Sequence, residues 1–224
     1  ARLIGLISII PLLYFTFIYK DFFKKFKKYY LLFILILIQG IIGWYMVKSG
    51  LNKNLDVSHF RLSIHLSMAL IILSLSFWFF LELFNIKKYS CKIPKKLINV
   101  ILIFLVIQII LGAFLAGLNG GLIYNTWPDM GGSFFPNDSN LIDYLSLSSF
   151  SDPSIVQFFH RTTAYILLIF VILLNMYFYK LKLNSTEILI FDLSIFIQII
   201  LGIVTLLNSV EIIYASLHQV GSIF

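Results

Sequence analysis

The sequence predicts an all-α polytopic membrane protein made of two pseudo-symmetric four-helix bundle halves, with about seven of the eight helices present. Three observations predict it. The 224 residues are 60% hydrophobic and 12% charged, and the mean hydropathy of +0.96 is more than a soluble domain of this length can bury. The apolar residues fall in runs long enough to cross a bilayer, separated by short lysine tracts. A Gln-x-x-x-Gly pattern recurs at Gln39–Gly43, Gln108–Gly112 and Gln198–Gly202, and a histidine follows in the next apolar run each time. Such an internal repeat implies duplicated halves. The pattern itself is read as close helix packing through a small residue with the glutamine bonding across, in preference to ligand contact.

The spans follow in order. Residues 3–19 form the first, with a kink expected at Pro11. Spans 29–50, 60–84, 97–118, 154–178 and 187–207 follow, and a seventh opens near 212 and runs to 224. Each full span has about 17–25 residues, enough for a ~30 Å hydrocarbon core. The chain starts and stops inside apolar runs, so both ends read as cuts through a longer protein. Lysines 20, 24, 25, 27 and 28, lysines 87, 88, 92, 95 and 96, and lysines 180 and 182 all fall on one side, which is therefore cytoplasmic. The outer side holds the 51–59 link, the 119–153 loop and the 208–211 link. Lys48 and Lys53 weaken this contrast without reversing it. The net charge of +7 resides in these tracts, so it orients helices and is no nucleic-acid signal. The single Cys91 excludes an intrachain disulfide or a Cys-x-x-Cys metal site. The glycines and aromatics of 117–132, with Tyr124 and Trp127, fit an aromatic belt or a lid over a buried ligand equally well.

His65, His160 and His218 each stand about 6–7 residues into a helix entered from the outer side, ~9–10 Å deep. Histidine in hydrocarbon is costly, so a set matched in depth is informative. Residues one turn inward are small or flexible: Met68 and Ala69, Thr163 and Ala164, Gly221 and Ser222. That leaves room for a flat iron-bearing ring between helices. Arg61 lies on the face of His65 and Arg161 adjoins His160, where guanidinium would meet the propionates of an upright haem. The competing reading is three buried histidines bonded to glutamine or backbone carbonyls; the shared depth and the two arginines favour haem. Zinc is disfavoured, since no cysteine or carboxylate shares this level. His59 is expected at the surface in solvent. Glu82, Glu187 and Asp192 lie near cytoplasmic helix ends and are assigned no catalysis; Asp192 is expected to cap or to pair with a lysine.

Several longer motifs carry a resemblance. GWYMVKSGL (43–51), VSHFRLSIHL (57–66), AGLNGGLIYNTWPDMGG (116–132), QFFHRTTAY (157–165), QIILGIVTLL (198–207) and ASLHQ (215–219) occur in order across nearly the whole chain. Together they resemble the haem A synthase family, in the branch whose outer loops lack a disulfide, found in alphaproteobacteria and mitochondria. The resemblance implies eight helices and oxidation of the C8 methyl of haem O to a formyl group, giving haem A for cytochrome oxidase. It implies a haem b cofactor in the C-terminal half, held by His160 and His218, and the substrate haem in the N-terminal half, held by His65. The family's second substrate-side histidine and its catalytic glutamate belong to a motif resembling ExxxHR, which would precede the ARLIGL where this sequence begins.

On this reading, residues 1–84 are the remainder of the N-terminal, substrate-haem half. Residues 85–96 are a cytoplasmic basic linker, and 97–224 are the C-terminal, cofactor-haem half with its outer loop 119–153. The protein would sit in the bacterial inner membrane with its haem sites in the outer half. Its partners would be haem O, haem O synthase, an electron donor such as ferredoxin, and a second copy in a homo-oligomer. The alternative is a bis-histidine b-type cytochrome that only transfers electrons. A transporter is argued from the repeats but disfavoured, because the polar groups gather in the outer half.

Overall fold

The computed structural model describes residues 2–50, 57–84, 93–140, 142–183 and 185–223. Lys53, Cys91 and most of the expected 85–96 linker lie outside them. Among the described residues every regular element is helical. In lipid the backbone must satisfy its own N–H and C=O groups, and the helix does this within each segment. Five helices are long and apolar enough to cross a membrane. The chain divides into two compact units, residues 1–91 and 92–224.

In the first unit, α1 (Arg2–Ile18), a single turn α2 (Phe22–Lys25), α3 (Lys27–Gly50) and α4 (His59–Leu81) follow one another. Pro11 is accommodated inside α1 without ending it. At 17 residues, α1 has the length of the span expected at 3–19 and begins one residue earlier. The expected 20–28 connection instead carries α2, entered through Asp21 in the left-handed region at φ 70°. Stacked rings of Phe15 and Phe22, with centroids 5.9 Å apart, and the Thr16–Tyr30 hydroxyl bond tie α1 to α2 and α3. α3 and α4 pack as an antiparallel hairpin. Its lysine-bearing end is joined by Lys28 Nζ and Glu82 Oε2 at 2.5 Å, and Trp78 Nε1 donates to the same carboxylate at 2.8 Å.

The second unit holds two further hairpins. The first is α5 (Lys95–Gly117) with α6 (Pro153–Lys180), and the second is α7 (Thr186–Leu207) with α8 (Ile212–Gly221). The sequence explains the helix starts. Asp152 accepts from the backbone N–H groups of Ser154 and Ile155, and Pro153 sits at the first helical position, where no N–H is needed. Ser185 accepts from Ile188 N–H at the start of α7. Ile101, Leu167 and Leu174 form a buried cluster with Phe104, Phe170 and Phe191 packed around it. Asp192 accepts from Asn175 Nδ2 at 2.8 Å, so the partner expected to be a lysine is an amide on α6. Elsewhere the helices turn large apolar side chains outward, such as Ile103 at 58% and Ile190 at 61% exposure. That suits lipid contact and would be anomalous in water.

The described residues of the connection between α5 and α6 carry three short 3-10 turns. Met130 is buried within it, 1% exposed. Phe134, Phe135 and Tyr144 pack against Phe158 near the start of α6, with ring centroids 5.2–5.8 Å apart. Gly121 fits under Val210 so closely that a Cβ would lie 2.7 Å from Val210 Cγ2. Asn125 Nδ2 donates to Leu206 O at 2.9 Å. These contacts join the loop to the α7–α8 corner, where Val210 itself adopts φ 58°. A β-branched residue there is strained and must be held by its surroundings.

Candidate functional site

Each hairpin repeats one local arrangement. Between α3 and α4, Gln39 Nε2 donates to the backbone oxygen of His65 at 3.0 Å and lies 3.4 Å from the ring Nε2. Between α5 and α6, Gln108 Nε2 lies 3.3 Å from His160 Nε2. Between α7 and α8, Gln198 Nε2 donates to the His218 backbone oxygen at 2.9 Å. One turn further along, a glycine faces the imidazole edge. A Cβ on Gly43, Gly112 or Gly202 would stand 2.9, 3.2 or 3.0 Å from the Cε1 of His65, His160 or His218. The Gln-x-x-x-Gly repeat therefore packs as expected, and its specific partner is the histidine of the next helix.

The helix starts set the depth. His65 is six residues into α4, His160 seven into α6 and His218 six into α8, or ~9–10 Å along each axis. All three rings are half-buried. In each, Nδ1 is buried without a hydrogen-bond partner among the described residues, and so is the Oε1 of the clasping glutamine. His160 and His218 both belong to the second unit. Among the described residues no group of three His, Cys, Asp or Glu side chains gathers around a common point.

The small residue one turn inward from His218 has a use that spacing did not disclose. A Cβ on Gly221 would lie 2.6 Å from Gln198 Oε1, so Gly221 makes room for the glutamine. Arg61 lies over the Tyr45 ring, 5.2 Å from its centroid. Arg161 reaches into the outer loop, where Nη1 donates to Thr126 O (2.9 Å) and Asp129 O (2.8 Å), and Nη2 to Tyr124 O (2.9 Å). Its Nε is buried without a partner among the described residues. Gln157 Nε2 also donates to Tyr124 O at 2.9 Å. His59, expected in solvent, is half-buried, its ring centroid 4.1 Å from that of Phe60.

A polar knot closes the loop against α6. Ser154 Oγ donates to Asp138 Oδ2 at 2.6 Å, and the Tyr124 hydroxyl donates to Oδ1 at 2.9 Å. The Asp138 carboxyl is held below the usual carboxylate range. The Ser154 bond is the main cause, burial opposes it, and the Tyr124 bond adds to it. The Tyr124 phenol is pushed up, first by burial and then by donation to Asp138. Neither group was singled out for this role from the sequence, although the Asp-rich loop and the aromatic Tyr124 were its visible parts.

Similarity to known proteins follows the whole chain. The chain is 56% identical over 223 residues to Heme A synthase of Pelagibacter ubique (strain HTCC1062), covering 100% of this chain and 66% of that protein. It is 42% identical to Heme A synthase of Wolbachia pipientis wMel, covering 99% and 63%. It is 41% identical to Heme A synthase of Rickettsia bellii (strain OSU 85-389), covering 98% and 67%. The chain thus spans about two thirds of the length of these relatives. The family model of cytochrome oxidase assembly proteins, COX15-CtaA, matches residues 1–224, and the chain belongs to that family.

Proposed function

We propose that this chain is the greater part of a haem A synthase, an inner-membrane oxidoreductase that converts the C8 methyl of haem O to a formyl group. The observation that carries the reading is the pair His160 and His218. They are two imidazoles in one unit, each with a buried unpartnered ring nitrogen among the described residues and each faced by a glycine. Such residues fit an iron that brings four donors of its own and asks the protein for two imidazoles. The names of the relatives agree with it. When bound there, haem b would supply reversible one-electron chemistry.

The chain's own residues position and enclose. His160 and His218 would hold the cofactor, and His65 the substrate haem from one side. Gly43, Gly112 and Gly202 fix where each imidazole edge rests. Arg161 anchors the outer loop to α6 through three carbonyls, which would help keep water from the neighbouring His160. Its remaining Nε is the donor available to a propionate. Arg61, resting on Tyr45, would serve the substrate side. The methyl carbon would be hydroxylated twice, each time by dioxygen with two electrons and two protons, the second oxygen atom leaving as water, and the geminal diol would lose water to leave the aldehyde. Haem O synthase as the source of substrate, a ferredoxin-type donor and a second copy of the chain complete the proposal.

Haem extraction and mass analysis test it directly. Cells carrying the complete gene should contain haem A, and cells lacking it should accumulate haem O. A redox-active b-type spectrum with no haem A would make the protein an electron-transfer cytochrome instead.

A further inference from the structure

Each of the three clasps leaves two complementary groups unmatched. The glutamine Oε1 is a buried acceptor without a donor, and the histidine Nδ1 is a buried ring nitrogen without a partner, among the described residues. A buried polar atom left unpaired costs about 1–3 kcal/mol. Close packing against the histidine would be met as well by leucine, which is similar in size and has nothing to satisfy. An amide retained at all three equivalent places, at Gln39, Gln108 and Gln198, therefore has a polar duty that the unloaded histidine does not use. The amide nitrogen performs part of it, donating to the histidine carbonyl in two clasps. The oxygen has no counterpart.

A neutral imidazole has one N–H and one lone pair. When a metal takes the lone pair, the other nitrogen carries the proton and needs an acceptor, which fixes the ring and raises its basicity. We propose that Gln108 is a positioning residue that supplies this acceptor, through its amide oxygen to His160, the histidine it clasps. The amide already lies beside the ring, 3.3 Å from Nε2 at Gln108 and 3.4 Å at Gln39. At Gln108, turning it end for end brings the oxygen to His160 Nε2 without moving either helix and leaves Nδ1 for the metal; at Gln39 and Gln198 the amide nitrogen is already engaged by the histidine carbonyl. The inference rests on the haem reading above and deepens it, since the glutamine acts on the iron only through the histidine.

The test is the midpoint potential of the bound haem b in the protein expressed from the complete gene. A stronger acceptor makes the imidazole a better donor and stabilises ferric iron, so Gln108→Glu should lower the potential. Gln108→Leu removes the acceptor and should raise it, with the low-spin spectrum retained. Unchanged potentials, or shifts of one sign in both variants, overturn the inference, because a packing role gives no ordering by acceptor strength. If Gln108→Glu does not accumulate, Gln108→Leu decides alone: a raised potential supports the proposal, and an unchanged or lowered one overturns it. A native protein without a haem b signal overturns the haem reading and this inference with it. A native signal with unmoved variants overturns this inference alone.

Discussion

Gly112 lies against the Cε1 edge of His160, where an added Cβ would stand 3.2 Å away. Gly202 against His218 and Gly43 against His65 are tighter, at 3.0 and 2.9 Å. A methyl group at any of the three pushes on an imidazole, and overpacking of this kind costs about 1–3 kcal/mol. Gly202→Ala should reduce the haem b absorbance per protein several-fold, and Gly112→Ala should reduce it less. Gly43→Ala should leave that absorbance and lower haem A formation. Gly40, whose Cβ would meet nothing within 4 Å, is the control. Equal spectra for Gly40→Ala and Gly202→Ala would refute the glycine's role.

The histidines themselves should separate by unit. His160→Ala or His218→Ala should remove the low-spin haem b absorbance altogether. His65→Ala should retain it and abolish haem A in extracts. An unchanged spectrum in the first pair would defeat the ligand assignment, and continued haem A in the last would take His65 out of the substrate site.

How far the sequence could be read depends on where each signal resides. Helix positions were legible because lipid demands long apolar runs, and α3 to α7 begin and end within a few residues of the expected spans. The Gln-x-x-x-Gly repeat and the histidine depth were legible because both are spacings along single helices. What pairs with what across helices was not. Gly221 read as space for a macrocycle and in fact faces Gln198. Arg161 read as a propionate partner, yet three of its bonds go to loop carbonyls at Tyr124, Thr126 and Asp129. A carbonyl carries no residue identity, so sequence patterns do not reveal it as an acceptor. The turn at α2 escaped for a similar reason: Asp21 takes a left-handed conformation that a glycine would have advertised.

The Arg161 clamp has a measurable consequence. Its fork meets three carbonyls at 2.8–2.9 Å, a geometry that a single ammonium does not reproduce. Bonds from a charged donor contribute about 1.5–3 kcal/mol each and are not additive. Arg161→Lys should therefore loosen the loop by roughly 2–3 kcal/mol, seen as faster limited proteolysis within 119–138 and faster amide exchange at Gly131. Unchanged protection of the loop would show that the guanidinium does not hold it.

Asp138 makes the same loop sensitive to acid. Its carboxyl is held below the ordinary range in the folded protein, chiefly by Ser154, so the unfolded loop binds the proton more readily. The carboxylate's contribution is complete above about pH 4 and disappears as pH falls through the lower, folded value. Tyr124 works in the opposite sense. Its raised phenol stabilises the loop below its ordinary range and ceases to do so as pH rises through the folded value. The Asn137 amide, which donates to the Tyr124 hydroxyl at 3.1 Å, reports on both. Its exchange protection, corrected for the intrinsic rate, should be flat near neutrality and fall on the acid side of pH 4. In Asp138→Asn the acid limb should vanish, because an amide accepts from Ser154 at every pH. An acid limb that persists in that variant would assign it to another carboxyl.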